Sequence, residues 1–157
     1  MEKRYGATGR DDRLMQIGRS KWELIYGYGT DGTTGWNWRT RYKYKPTAEE
    51  IKAAVTEQIN SNVTEKIIGG MTYNGQAVWL STENQLNYAS IERNADVEYP
   101  LTLKMNEEAD GTPVYHTFGN AEEFAAFSKA ASLHILQCVK DGWQEKDSVD
   151  WSKFEVK

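Results

Sequence analysis

The chain of 157 residues has one cysteine, Cys138, two histidines and three prolines. A single cysteine excludes an intrachain disulfide, so folding does not depend on an oxidising compartment. Two histidines, His116 and His134, beside one cysteine leave too few ligands for a structural zinc site. No apolar run approaches the ~20 residues of a membrane-spanning helix. The opening MEKRYGATGRDDR carries no apolar segment behind its charges, so no signal peptide is expected. Positive charge is not in excess either: 19 Lys and Arg stand against 23 Asp and Glu, a formal net charge of -4, which argues against a general nucleic-acid binder. No metal, no cofactor and no catalytic residues are expected.

Aromatic residues are abundant: 6 Trp, 9 Tyr and 4 Phe. Many fall in the first half, where residues 36–46 read WNWRTRYKYKP. Trp36, Trp38, Tyr42 and Tyr44 occupy one parity, and Arg39, Arg41, Lys43 and Lys45 the other. Period-2 alternation is what a half-buried antiparallel strand requires. The preceding run KWELIYGY, 21–28, places Trp22, Leu24, Tyr26 and Tyr28 on one face, and TDGTTG supplies the turn. Pairing Tyr28 with Trp36 sets Tyr26 opposite Trp38, Trp22 opposite Tyr42 and Glu23 opposite Arg41. One face is then an aromatic ladder and the other a solvated basic face. The same pattern has a functional reading, in which the four cations neutralise phosphates. Base stacking, however, needs aromatics and cations in one groove, and here they lie on opposite faces. Nucleic acid is therefore an unlikely partner on pattern alone.

Residues 1–12 are polar and read as a flexible arm, followed by a single α+β domain over 13–157. RLMQIG, 13–18, gives a short strand. Thr47 and Glu50 form a capping box. It opens a helix whose stripe is Ile51, Ala54, Val55 and Ile59. SNVTEKII, 61–68, reads as a second short helix closed by Gly69 and Gly70. MTYNGQAVWL, 71–80, is a hairpin turning at Asn74-Gly75. Thr82 and Gln85 cap a helix from 83 to about 95, with Leu86, Ala89 and Arg93 on one face. Strands follow at 99–105 and 112–118. Asn120 and Glu123 cap the longest helix, 121 to about 141, with core positions Phe124, Phe127, Ala131, Ile135 and Cys138. Leu133 and Leu136 fall off that stripe and suggest a second packing surface or an oligomer interface. Trp143 and Trp151 are expected to return against the fold. The fold class is thus α+β, an antiparallel sheet of aromatic-rich hairpins packed against about three helices.

Motifs of chemistry are mostly rejected on context. Gly27, Gly29 and Gly32 match G-x-G-x-x-G, but a strand follows where phosphate binding needs a helix N-terminus. Cys138 lies mid-helix, where a thiol is normally an inert core residue. Glu49-Glu50 and Glu122-Glu123 sit in first turns, where the helix dipole stabilises them. Asn62-Val-Thr64 is a formal glycosylation sequon without a secretory signal.

The blocks KPTAEEIKAAVTEQIN, TEKIIGGMTYNGQAVWLSTENQLNY, PVYHTF and DGWQEKDSVDWSKF, across residues 44–154, resemble a domain-of-unknown-function family of bacteriophages and prophages of gut bacteria. That family is often encoded near tail-fibre genes. The aromatic hairpin, 21–45, resembles its frequent companion. The resemblance implies no enzyme. It implies a non-catalytic, virion-associated structural or assembly protein acting by protein–protein contact, with other phage proteins or a second copy as partner. Its location would be the virion, or the host cytoplasm during assembly. Trp36, Trp38, Tyr42, Tyr44, Leu133 and Leu136 are the candidate contact residues. Alternatives are a host-directed factor that binds a host protein or nucleic acid, and a sugar-binding module of a receptor-binding apparatus.

Overall fold

The structure, a computed structural model, describes residues 1–155. It is an α+β fold. The single domain expected over 13–157 instead divides into two compact units, one of residues 1–60 with the chain from Glu145 on, the other Ser61–Gln144. Each has its own hydrophobic core.

In the first unit, β1 (Glu2–Tyr5), β2 (Arg13–Gln16), β3 (Trp22–Asp31) and β4 (Thr34–Tyr42) form one antiparallel sheet in the order β1-β4-β3-β2. The first twelve residues are therefore not a loose arm. β1 pairs along β4, with Lys3 opposite Trp38 and Tyr5 opposite Trp36. Four polar residues show no alternation strong enough to announce a strand, so the pairing is imposed by the neighbouring strand and not by local propensity. Trp22, Leu24 and Tyr26 of β3 face a core closed by Leu14, by Ile51, Val55 and Ile59 of the helix α1 (Ala48–Gly69), and by Val149 and Phe154. Their spacing, two on the strand and four on the helix, is what the two geometries require.

The hairpin register agrees with expectation at Trp22–Tyr42, Glu23–Arg41 and Tyr26–Trp38, and departs beyond them. Trp36 pairs with Gly29, not Tyr28, because the register shifts between Tyr26 and Gly29. Gly27 has φ of 66°, a conformation that costs a residue with a Cβ. Its amide donates to the buried Asp12 carboxylate at 2.8 Å, and Arg10 Nε donates to the same carboxylate at 2.8 Å. The bulge turns Tyr28 to solvent and seats the Trp36 ring directly over Gly29, where a Cβ would overlap the indole.

The capping box of α1 (Ala48–Gly69) forms as expected: Glu50 N donates to Thr47 Oγ1 and Thr47 N to Glu50 Oε2. The helix then continues to Gly69 where two helices were expected. Asn60-Ser61-Asn62 weakens it by only a few tenths of a kcal/mol per residue and, unlike proline, removes no backbone donor.

The second unit contains two hairpins, β5 (Met71–Tyr73) with β6 (Gln76–Val78) and β7 (Leu101–Glu107) with β8 (Pro113–Phe118), and the helix α2 (Thr82–Arg93). The remaining helix, α3 (Ala121–Asp147), runs through it. Asn74 and Gly75 both take positive φ, 49° and 79°, as a two-residue hairpin turn of this twist demands. The core is an aromatic cluster. Phe118 meets Phe124 at 5.1 Å and Phe127 at 5.3 Å, and Tyr88 meets Phe127 edge-on at 4.9 Å. The α2 face is not the expected one: Tyr88 is buried, whereas Leu86 is exposed. The cap lies one residue early, Ser81 Oγ accepting from Asn84 N at 3.2 Å. At α3, Asn120 Oδ1 accepts from Glu123 N at 2.9 Å, but the Glu123 carboxylate reaches Gly119 N.

Gly142 is buried in α3 with the Val63 side chain against its backbone, leaving no room for a Cβ. Alanine at an open helical position stabilises by about 1 kcal/mol over glycine. Here overpacking, about 1–3 kcal/mol, opposes it and wins. Gly142→Ala should lower the denaturation midpoint, and Val63→Ala in the same chain should recover much of that loss. Removing the Asp12 carboxylate strands a buried amide, so Asp12→Ala should destabilise by about 1–3 kcal/mol in the same assay.

Candidate interaction surfaces

The sequence-predicted surface residues separate into groups. Trp38 and Tyr42 are half-buried, packed against the first core. Trp36 is half-buried, its ring 5.2 Å from that of Trp38 at an interplanar angle of 69°. Tyr44 is exposed, lies edge-on to Tyr42 at 6.0 Å and donates its hydroxyl to Glu50 Oε1 at 2.5 Å. The four aromatics therefore do not form one open face. Two tyrosines missed in the sequence, Tyr5 and Tyr28, are exposed instead. Strand β1 brings Tyr5 beside Trp36, and the bulge turns Tyr28 outward.

The basic stripe has one acidic partner, Glu23, which offsets one of its four charges. Arg39 Nη1 and Arg41 Nε donate to the two oxygens of Glu23 at 3.2 and 2.7 Å, and the Glu23 residue is 4% exposed. Arg39 Nε also donates to Asn37 Oδ1 at 2.8 Å, and Arg4 pairs with Glu2 at 2.6 Å. Charge-assisted bonds to a buried carboxylate hold the two arginines in place. Lys43 and Lys45 lie past the end of β4, Lys45 Nζ standing 5.5 Å from the centre of the Trp22 ring. The parity that separates cations from aromatics places Glu23 among the cations, so Arg39 and Arg41 share one carboxylate while Arg41, Lys43 and Lys45 stay exposed.

At the hairpin end, Asp31 accepts from Lys3 Nζ at 2.7 Å, Tyr5 hydroxyl at 2.6 Å and Trp36 Nε1 at 3.0 Å. Lys3 Nζ also stands 4.2 Å above the Trp36 ring. The Lys3 hydrogen bond, then that of Tyr5, hold the Asp31 carboxyl down to about 2. This cluster fastens β1 to the hairpin turn.

His134 and Cys138, one turn apart, do meet: Sγ is 3.7 Å from Nε2. The contact does not offer the thiol a free base. The same Nε2 lies 3.0 Å from the Lys66 carbonyl oxygen, which can only accept, so that nitrogen carries the proton and donates. Burial also pushes the thiol up, away from the reactive thiolate. Among the described residues no group of three or more His, Cys, Asp or Glu could hold a metal ion, and no helix is long and apolar enough to cross a membrane.

Two surfaces remain. On α3, Leu133 is 56% exposed, Leu136 45% and Trp143 57%. Positions 133, 136, 140 and 143 recur at the three-four spacing of one helix face, so Lys140 lies within the row and exposed Lys129 extends it. Trp143 was expected against the fold. It points away because the buried face of this turn is set by Cys138 and Gly142, whose positions Trp143 does not share.

The second surface surrounds Trp79. A groove of about 560 Å³ is lined by Trp79, Ser81, Glu83, Asn84 and the run Lys104–Glu108. Trp79 N donates to the Met105 carbonyl at 2.8 Å, and Asn84 Nδ2 donates to the Trp79 carbonyl at 2.8 Å. The backbone is thus clamped from both sides while the residue stays 50% exposed. In the sequence Trp79 is one aromatic of a hairpin, and nothing there separates it from a core residue.

In comparisons with known proteins, the chain matches no family model, no curated protein and no solved structure.

The Asp31 cluster has a pH signature. Its folded pKa lies below the ordinary aspartate value of 3.8, so its contribution is complete above 3.8 and is lost as pH falls toward about 2. The Trp36 indole N–H resonance should therefore hold through pH 3 and shift near pH 2. In Lys3→Ala the transition should move upward. A transition unchanged by Lys3→Ala would contradict the assignment.

Proposed function

We propose that this chain is a non-catalytic structural or assembly protein that works by protein–protein contact. The observation that carries the reading is the exposed row Leu133, Leu136 and Trp143 on one face of α3. Single exposed leucines are ordinary, but three large apolar side chains aligned on one helix face form the kind of patch that partners cover. Aromatic anchors are enriched in such interfaces, and the aliphatic stems of Lys129 and Lys140 widen the apolar area while keeping their charges in water. The resemblance of residues 44–154 to the phage family supports a setting in a virion or its assembly, as a tail- or fibre-associated component or its chaperone. The nucleic-acid version of a host-directed factor is disfavoured by Glu23, which engages Arg39 and Arg41 and offsets one of their two charges.

The test is quantitative mass spectrometry of purified particles and assembly intermediates of the phage that encodes the chain. Wild type is compared with a Leu133→Glu, Trp143→Glu double variant. Wild type should be present at fixed copy number in one or both fractions. The variant should be lost from them several-fold or more, with its melting temperature little changed, because exposed substitutions move stability by only about 0.5 kcal/mol each. Absence of the wild-type chain from both fractions, or equal incorporation of the variant, would overturn the reading.

A further inference from the structure

We propose that the groove beside Trp79 is a binding site for an uncharged saccharide, separate from the contact face of α3. A sugar ring presents an apolar C–H face and a rim of hydroxyls that both donate and accept. A site for it needs a fixed aromatic plane and hydrogen-bonding groups of both kinds around it. Trp79 provides the plane. Its backbone is held by Met105 and Asn84, and its six-membered ring edge lies close to Gly69, where a Cβ would stand 3.8 Å from Cζ3. The main chain that carries the indole is thus fixed before any ligand arrives, which lowers the ordering cost of binding.

The rim has the mixed character required. Carboxylates of Glu83, Glu107 and Glu108 accept, Lys104 donates, and Ser81, Asn84 and Asn106 contribute hydroxyl and amide groups. Lys104 and Glu107 pair with each other, but both are substantially exposed, so the pair is weak and exchanges readily for ligand hydroxyls. A groove of about 560 Å³ lies within the range of small-molecule sites, about 300–1,000 Å³.

Charge decides against other occupants. Three carboxylates against one lysine repel sulfated or sialylated sugars and the phosphates of a single nucleic-acid strand, although a base would stack on the indole. An organic cation would be attracted, but cages for such ligands enclose the charge with aromatic rings. Here there is one ring, and the Lys104 ammonium would oppose the ligand.

The experiment uses the whole chain on an array of neutral glucans, mannans, galactans and N-acetylhexosamine oligomers. A heparin oligosaccharide, a thymidine decanucleotide and spermine are included. Calorimetry then follows with the strongest glycan. Binding to a neutral glycan is expected. Trp79→Ala should weaken it by about tenfold or more, and Trp79→Phe by less. Asn106→Ala should weaken it several-fold, and Trp143→Ala, exposed but outside the groove, should leave it unchanged. Trp79→Phe and Asn106→Ala keep the test decisive if Trp79→Ala fails to fold. Silence across all neutral glycans, preference for heparin, the oligonucleotide or spermine, or binding insensitive to Trp79→Phe and Asn106→Ala would each overturn the proposal. None of these outcomes depends on whether the chain enters a particle.

Discussion

The first unit depends on the Asp12 carboxylate and the Gly27 amide that donates to it. An antiparallel strand without a bulge would carry Tyr28 onto the same face as Trp22, Leu24 and Tyr26. The bulge interrupts that parity at Gly27, and everything beyond it takes its place from the shift. Trp36 comes to pair with Gly29 and lies over it, and Asp31 at the strand end comes within reach of Trp36 Nε1, Lys3 and Tyr5. The buried carboxylate is tolerated because Arg10 and the Gly27 amide both donate to it. One local hydrogen bond therefore decides which aromatics of the hairpin are core and which meet water.

What the sequence made legible was local. The Thr47/Glu50 box, the Asn74-Gly75 turn and the alternation in 36–42 each carry their physical cause within a few residues, and each formed; the alternation expected on to Tyr44 stops where β4 ends at Tyr42. What stayed hidden depended on partners distant in sequence. β1 is a strand because β4 offers it an edge, not because Glu2–Tyr5 prefers one. On α2 the polar composition leaves the helical period weak, and Leu86 drew the reading toward the wrong face. Tyr88 is the residue that reaches Phe124 and Phe127. The division into two units was equally invisible. Periodicity shows that Ile51, Val55 and Ile59 are buried, as it shows for Phe124 and Phe127, but not that they belong to different cores.

The basic stripe shows how a correct pattern can mislead about function. Arg39 and Arg41 do share a face, as their parity requires. Glu23, on the neighbouring strand, shares it too: the register sets it opposite Arg41, and its second oxygen reaches Arg39 diagonally. Charge counted along one strand is not the charge of a sheet face, because cross-strand neighbours lie about 5 Å away whereas same-face residues along a strand lie farther apart. Two rungs of the basic ladder, Arg39 and Arg41, close on a buried acid.

The six tryptophans make the same point about composition. Trp22 is buried in the first core, Trp38 and Trp151 lean on it, and Trp36 is half-buried over Gly29. Trp79 and Trp143 are each at least half exposed. An exposed indole taken alone is unremarkable. These two differ from scatter, and from each other, in their surroundings. Trp143 continues a row of leucines interrupted and flanked by lysines, a surface whose free energy falls when a broad apolar face covers it. Trp79, its main chain hydrogen-bonded on both sides, stands among hydroxyl, amide and carboxylate groups that would be left unsatisfied beneath such a face. A protein partner suited to the first surface is therefore poorly suited to the second. The second requires a ligand that brings its own hydrogen-bonding groups to the rim and an apolar face to the ring.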